Sequence, residues 1–219
     1  MSTRIPKTAL RPSPAGYVER AAGVESADLS ALTSLPRSFY DRATRRVAKD
    51  LLGMWLVHVV DGTRRIGRIV EVEAYLGPTD QAAHTSHGKT ARTQAMFGPP
   101  GHAYVYFVYG MHHCMNVVTE GEGVGTAVLL RALEPIASLS TNTNGPARLC
   151  KAMGITLADY GRDLLGDVLF VAEPPPGLKR RRGAKIVACP RIGVDYAGAW
   201  AAKPLRFYLE GSPFVSRKQ

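Results

Sequence analysis

The chain has 219 residues, 45% of them apolar, with 28 Lys and Arg against 18 Asp and Glu for a net charge of +10. That is one large globular domain, or one domain and a tail, with enough residues to bury a sizeable core. No apolar run reaches transmembrane length, the N-terminus has no apolar stretch of a secretory signal, and three scattered cysteines argue for a reducing cytosol over a disulfide framework.

In chain order, residues 1–34 read as a flexible basic tail punctuated by Pro6, Pro12, Pro14 and Gly16, followed by one domain over 35–219. Asp41 to Leu52 predicts a helix, with Ala43, Val47 and Leu51 on one side and Gly53 as its stop. Met54 to Val60 predicts a strand, and Asp61-Gly62 a tight hairpin turn. The returning strand, Ile66 to Tyr75, alternates as a half-buried strand does. Val70, Val72 and Ala74 fall on one face, Glu71, Glu73 and Tyr75 on the other. Leu76 to Pro100 is a long loop bracketed by Gly-Pro pairs, and a loop of that length in a domain is functional or disordered. Strands follow at Ala103–Val108, His113–Thr119 and Thr126–Leu133, then a short helix at Pro146–Met153 and strands at Val168–Ala172, Ile186–Cys189 and Leu205–Leu209.

Two features stand out chemically. A carboxylate (Glu73), a histidine (His84) and an aromatic run from Tyr104 to Tyr109 lie within one stretch and suggest a pocket for a flat, stackable substrate. The same residues also fit a tyrosine-rich β core with a solvated Glu. Arg131 is a charge inside an apolar strand, and a buried charge requires a partner, for which a pocket carboxylate is the obvious candidate. The positive surplus favours nucleic acid first and an anionic membrane surface second, with Lys89, Arg92 and the run Lys179-Arg180-Arg181-Arg182 as phosphate contacts. Two other readings are weaker: a metal-dependent hydrolase using His84, His87, His113 and Cys114, which lacks an HExxH or CxxC element, and a non-catalytic nucleic-acid-binding module.

Several fragments, in order from Arg37 to Ser216, resemble the alkyladenine (3-methyladenine) DNA glycosylase family. They are Glu73-Ala74-Tyr75-Leu76-Gly77-Pro78 through Ala82-Ala83-His84, Tyr104-Val105-Tyr106, Tyr109-Gly110-Met111 and Cys114-Met115-Asn116. Leu129 to Pro135, Gly145-Pro146, Arg191-Ile192-Gly193-Val194 and Lys203 to Tyr208 complete the set. The resemblance implies an α+β fold, a single mixed domain around a curved antiparallel β-sheet with flanking short helices. It implies no metal and no cofactor, and a monofunctional hydrolase that flips alkylated or deaminated purines from double-stranded DNA and leaves an abasic site.

By the same resemblance Glu73 is the water-activating base and Arg131 positions the water. Tyr75, His84 and Tyr106 stack on the extruded base, Asn116 excludes guanine, and Tyr109 and Met111 enter the duplex. The expected protein is a monomer without a membrane partner, in the cytoplasm (at the nucleoid in a bacterium, in the nucleus of a eukaryote). His112-His113 departs from the aromatic residues expected after Met111, and the segment from Pro135 to Gly145 is short and rich in Ser, Thr and Asn.

Overall fold

A computed structural model describes residues 28–108, 110–139, 142–178 and 185–218. Most of the expected tail, residues 1–27, lies outside them, as do Tyr109 and the whole Lys179–Arg182 run. The chain packs from its first described turn: Leu29 and Leu32 lie against Trp55 and Phe170, and Ser34 bridges to Ala172.

Eight antiparallel strands form one strongly curled sheet, a half-barrel flanked by short helices, as the resemblance implied. They are β1 (Trp55–Val60), β2 (Thr63–Tyr75), β3 (Ala103–Val108), β4 (His112–Thr119), β5 (Thr126–Ala137), β6 (Leu169–Ala172), β7 (Ile186–Cys189) and β8 (Arg206–Leu209). The order is β3-β4-β5-β2-β1-β6, with β8 joined to both β2 and β7. The 13-residue β2 is the spine. β5 runs along one edge; on the other, β1 pairs with Thr63 to Arg68 and β8 with Glu71 to Glu73. β1 turns into β2 through Asp61 and Gly62 at φ 49° and 74°, the paired positive values that a two-residue hairpin requires.

The helices are α1 (Arg37–Tyr40), α2 (Thr44–Leu51) and α3 (Pro146–Met153). α2 buries Val47, Ala48 and Leu51, and α3 buries Leu149, Cys150 and Met153, each an i, i+1, i+4 stripe. Both stripes meet Ile69, Val72, Val128, Leu130 and Leu133 in the main core. Each such side chain contributes about 1.5–3 kcal/mol on burial. The helix predicted over Asp41 to Leu52 is shorter, because Asp41 leaves helical geometry and α2 begins only at Thr44. Its N-cap, Ala43, has no side-chain acceptor; Glu120, 76 residues on, accepts the Thr44 N–H at 2.9 Å instead. The stretch from Leu76 to Pro100 is built, with 3-10 turns at His84–His87 and Gln94–Phe97.

Two readings of the central strands are corrected. β2 is not half-buried: every residue from Ile66 to Ala74 is buried. Nor does its alternation run unbroken. The β2–β5 register jumps between Ile69 and Glu71 and again between Glu71 and Val72, so Val70 is an extra residue on β2 and Arg131 an extra residue on β5. On β2 the main-core residues are therefore Ile69, Val72 and Ala74, with Val70 outside that cluster. On β5 they are Val128, Leu130 and Leu133, an odd step across Arg131. The strand runs on to Ala137, which leaves Arg131 buried in mid-strand and not at a solvent-facing end.

Candidate active site

The paired bulges deliver Arg131 to two carboxylates at once. Its Nε donates to Glu71 Oε1 at 3.1 Å, and one terminal nitrogen lies 3.2 Å from Glu73 Oε1. Burial works against the guanidinium charge, but Glu73 and Glu71 outweigh it and hold Arg131 above its ordinary pKa. Neither carboxylate has any solvent exposure. Glu71 is saturated by further donors: Arg206 at 3.0 Å, the Ser216 N–H at 2.6 Å and the Ser216 hydroxyl at 2.9 Å. Glu73 is held more lightly, by the Tyr75 hydroxyl on Oε2 at 2.9 Å and the Ile192 N–H on Oε1 at 2.8 Å. Of two buried glutamates two residues apart, one is thus locked by an arginine pair and the C-terminal segment. The other faces Tyr75 and the loop after β7.

That loop is pinned to the end of β2. Arg191 forms a two-point ion pair with Asp80 at 2.6 and 2.8 Å, bonds the Ala74 carbonyl at 3.0 Å, and lies 4.7 Å over the Tyr75 ring. Asp80 also accepts the N–H groups of Leu76 and Ala82, which fixes the path from β2 toward His84. Burial and then the neighbouring Glu73 push the Tyr75 hydroxyl well above its ordinary pKa, so it stays a donor to that carboxylate.

An aromatic cluster adjoins the carboxylate. His84 meets the edge of Tyr106 at 4.6 Å between centroids, and Tyr106 stacks on Tyr104 at 5.3 Å with 26° between planes. His84 Nδ1 and the Tyr104 hydroxyl share a 2.9 Å hydrogen bond. Burial, with Arg92 nearby, depresses His84 to about 4, so the imidazole is neutral at neutral pH. Burial, then the neighbouring Cys114, pushes the Tyr106 hydroxyl well above its ordinary pKa, and Glu73 adds to the rise, so the aromatic cluster and the carboxylate lie within electrostatic reach of each other. Asn116 is buried behind Tyr104 and donates to its carbonyl at 3.2 Å.

Of the residues singled out in the sequence, Glu73, Arg131, Tyr75, His84 and Tyr106 thus assemble, with Asn116 on the adjoining strand. Arg92, expected among phosphate contacts, stands 5.5 Å over the Tyr106 ring. Lys89 is exposed on the loop before it, and Met111 is 68% exposed in the β3–β4 turn. Of the histidines offered for a metal reading, His84 has turned Nδ1 to Tyr104 and His87 is exposed. Sequence reasoning gave no site role to Glu71, Asp80, Arg191, Arg206 or Ser216, and offered Cys114 only as a metal ligand. Arg191 and Arg206 lie inside quoted motifs, and an arginine in a mostly apolar strand end was a usable signal for Arg206. Ser216 carried none.

Fold and site together define a protein with a buried carboxylate, held by a bulge arginine, beside a cluster of packed aromatic side chains. The methylpurine-DNA glycosylase family matches this sequence over residues 38–213. Relatives named as 3-methyladenine DNA glycosylases include one from Anaeromyxobacter dehalogenans strain 2CP-1, 56% identical over 84% of this chain and 85% of its own length. Another, from Legionella pneumophila strain Corby, is 53% identical over 85% of this chain and 100% of its own. A third, from Myxococcus xanthus, is 52% identical over 84% and 93%. The chain belongs to the methylpurine-DNA glycosylase family.

Proposed function

We propose that this chain is a monofunctional DNA glycosylase of base excision repair that hydrolyses the N-glycosidic bond of alkylated or deaminated purines in duplex DNA. The family membership supports the reaction class, and the relatives' names support a methylated purine as substrate. The observation that carries the residue assignment is the arrangement around Arg131. It bridges a locked carboxylate, Glu71, and a lightly held one, Glu73, and only the second adjoins the aromatic cluster.

The damaged nucleotide leaves the stack and its base enters between Tyr75, His84 and Tyr106. Extrusion costs a few kcal/mol, less for a weakly paired base. Stacking on aromatic faces returns about 1–3 kcal/mol per base. An electron-poor alkylated purine is favoured further by the negative ring faces. As the bond from C1′ to the purine breaks, the electron pair leaves with the base and the sugar becomes cationic. Glu73 stabilises that cation and takes a proton from the water that adds to C1′, with Arg131 orienting the carboxylate and the water. Among the described residues no lysine amine touches Glu73, Tyr75 or Arg131, which favours hydrolysis over imine formation. Asn116 sets the depth of the pocket against an exocyclic amine. Met111 and Tyr109 fill the gap in the duplex, and Lys89 and the Lys179–Arg182 run meet phosphates. The protein works as a monomer in the cytoplasm, where a reducing medium suits its three buried, unpaired cysteines.

The test is single-turnover release of free base from duplexes that each carry one defined lesion. Excision of at least one N-alkylated or deaminated purine is expected, with Asn116→Ser raising the rate for guanine relative to that lesion. No release from any such duplex, by protein that binds DNA, would overturn the proposal.

A further inference from the structure

A cavity of about 610 Å³ lies at the end of β2 remote from Glu73, where the β1–β2 hairpin, the end of β5 and α3 meet. Its walls include Asp61 and Thr63 at the hairpin, Arg65 on β2, Ser138 just past β5, and Arg148 and Lys151 on α3. Of these only Arg65 is half-buried and the rest are exposed, so the cavity is open to solvent. Eight residues of β2 separate Arg65 from Glu73, about 26 Å at the rise of a strand. The size of the cavity is that of a small-molecule site.

Three cations meet here without a counter-charge. Among the described residues none of Arg65, Arg148 and Lys151 forms an ion pair, whereas Arg37, Arg42, Arg46 and Arg162 each pair with an aspartate. Asp61 brings a carboxylate to the walls, but it pairs with none of the three. Nor does the helix relieve the crowding. Arg148 and Lys151 are three apart on α3, so their like charges share a face. Arg148 also stands in the first turn, the end at which the helix dipole disfavours a cation. Both guanidinium groups are nonetheless held in place. Arg148 donates to the Asn144 side-chain oxygen at 2.9 Å. Arg65 Nη1 donates to the Ala152 carbonyl at 3.3 Å and lies 2.7 Å from where a Cβ on Gly154 would stand. Gly154 ends α3 at φ 77°, and its missing side chain leaves room for that guanidinium. Two fixed guanidinium forks and an ammonium, beside the hydroxyls of Thr63 and Ser138, are a donor set for an anion with several oxygens.

We propose that this cavity binds a phosphomonoester. Three cations less the one carboxylate of Asp61 leave a surplus of two positive charges. A phosphomonoester carries about −1.5 to −2 at neutral pH and three acceptor oxygens, whereas a carboxylate or a phosphodiester carries a single charge. A free nucleotide and the 5′-terminal phosphate of a broken DNA strand offer the same group. No wall of this cavity has a part in the excision site, so the inference does not depend on the roles given to Glu73 and Arg131.

Amide-resolved nuclear magnetic resonance of the full chain tests it. The probes are inorganic phosphate, deoxyadenosine monophosphate, and a short oligodeoxynucleotide with and without a 5′-phosphate. Phosphate and the monophosphate are expected to shift the Thr63, Arg65, Ser138 and Lys151 amides saturably, at roughly millimolar affinity. Replacing Arg148 and Lys151 together by Ala, at exposed positions on a helix that Ala favours, is expected to weaken binding at least about ten-fold. Asp61→Asn keeps a residue that accepts the turn's φ of 49° and removes the opposing charge. It is expected to tighten binding by up to roughly five-fold, a gain that no folding defect produces. A larger response to the phosphorylated oligomer than to its unphosphorylated twin assigns the site to a DNA end. A response to the monophosphate with none to either oligomer assigns it to a free nucleotide. Equal responses to the two oligomers would make the cavity a general polyanion surface and overturn the proposal. So would shifts reproduced by chloride at the same ionic strength, an affinity unchanged in the double Ala variant, or no shift at these amides with any probe.

Discussion

Glu71 and Glu73 lie on one strand, both buried, yet their substitution has different expected outcomes. Glu73→Gln keeps an oxygen for the Ile192 N–H and an amide for the Tyr75 hydroxyl. The fold should survive while single-turnover excision falls roughly 10²–10⁴-fold, the usual contribution of a positioned acid or base. A rate near wild type would remove Glu73 from the chemistry. Glu71→Ala instead leaves Arg131 and Arg206 facing each other's charge without the carboxylate they share. Removing one partner of a buried ion pair costs about 3–5 kcal/mol, so denaturant unfolding should detect it before any assay of excision does. Glu73→Gln leaves Arg131 its bond to Glu71 and should lower the unfolding midpoint less than Glu71→Ala does. His84 gives a pH dependence of known sign. Its folded value of about 4 lies below the ordinary 6.5, so the unfolded chain binds the proton more readily. The stability held above pH 6.5 is therefore lost as pH falls through about 4, and His84→Gln should flatten that part of the curve measured by thermal unfolding.

At the level of elements, the site depends on an irregularity. Bulges bend a strand and re-aim its side chains, and here two compensating bulges turn Arg131 toward both glutamates while β2 and β5 stay paired on either side. Gly67 sets how closely the two strands approach before the bulge. A Cβ there would lie 2.7 Å from Leu133 Cδ1 and 2.9 Å from Leu133 Cβ, closer than atoms pack. Gly67→Ala should destabilise by about 1–3 kcal/mol, read as a lower denaturant midpoint, and the folded fraction should keep its excision rate. No loss of stability would mean that β5 can shift, and that its register is not what holds Arg131. Strand positions, the Asp61-Gly62 hairpin and the helix Pro146–Met153 were legible because hydrophobic period and turn chemistry are local. The bulges were not, since an extra residue on one strand has meaning only against its partner. The Glu120 cap of α2 and the Ser216 bonds to Glu71 join residues far apart in the chain, and no local pattern encodes them. Glu73, Tyr75, His84, Tyr106, Asn116 and Arg131 were assigned through whole motifs. Spacing alone favoured a solvated Glu, and the absence of any exposure at Glu73 decides against that.

For the molecule as a whole, the interior and the surface use charge differently. Every buried arginine among the described residues faces a buried carboxylate: Arg68 with Glu134, Arg131 with Glu71 and Glu73, Arg191 with Asp80, and Arg206 with Glu71. The net +10 is therefore carried outside that paired interior. Surface charge of that size acts on a polyanion by releasing counterions, and its effect is steep in salt. A protein that neutralises about six to ten phosphates loses roughly 10³–10⁵ in affinity between about 50 and 200 mM salt. The buried pairs sit where mobile ions screen little. Binding and chemistry should therefore separate: affinity for undamaged duplex should fall along a straight line in log–log salt coordinates, while single-turnover excision at saturating protein stays nearly constant. Replacing Lys179, Arg180, Arg181 and Arg182 by Ala should make the binding line shallower by about 0.9 for each phosphate that is no longer neutralised, with the saturated rate unchanged. An unchanged slope would remove that run from the DNA interface, and a saturated rate that falls with salt as steeply as binding would mean that the charge network around Glu73 is open to solvent when DNA is bound.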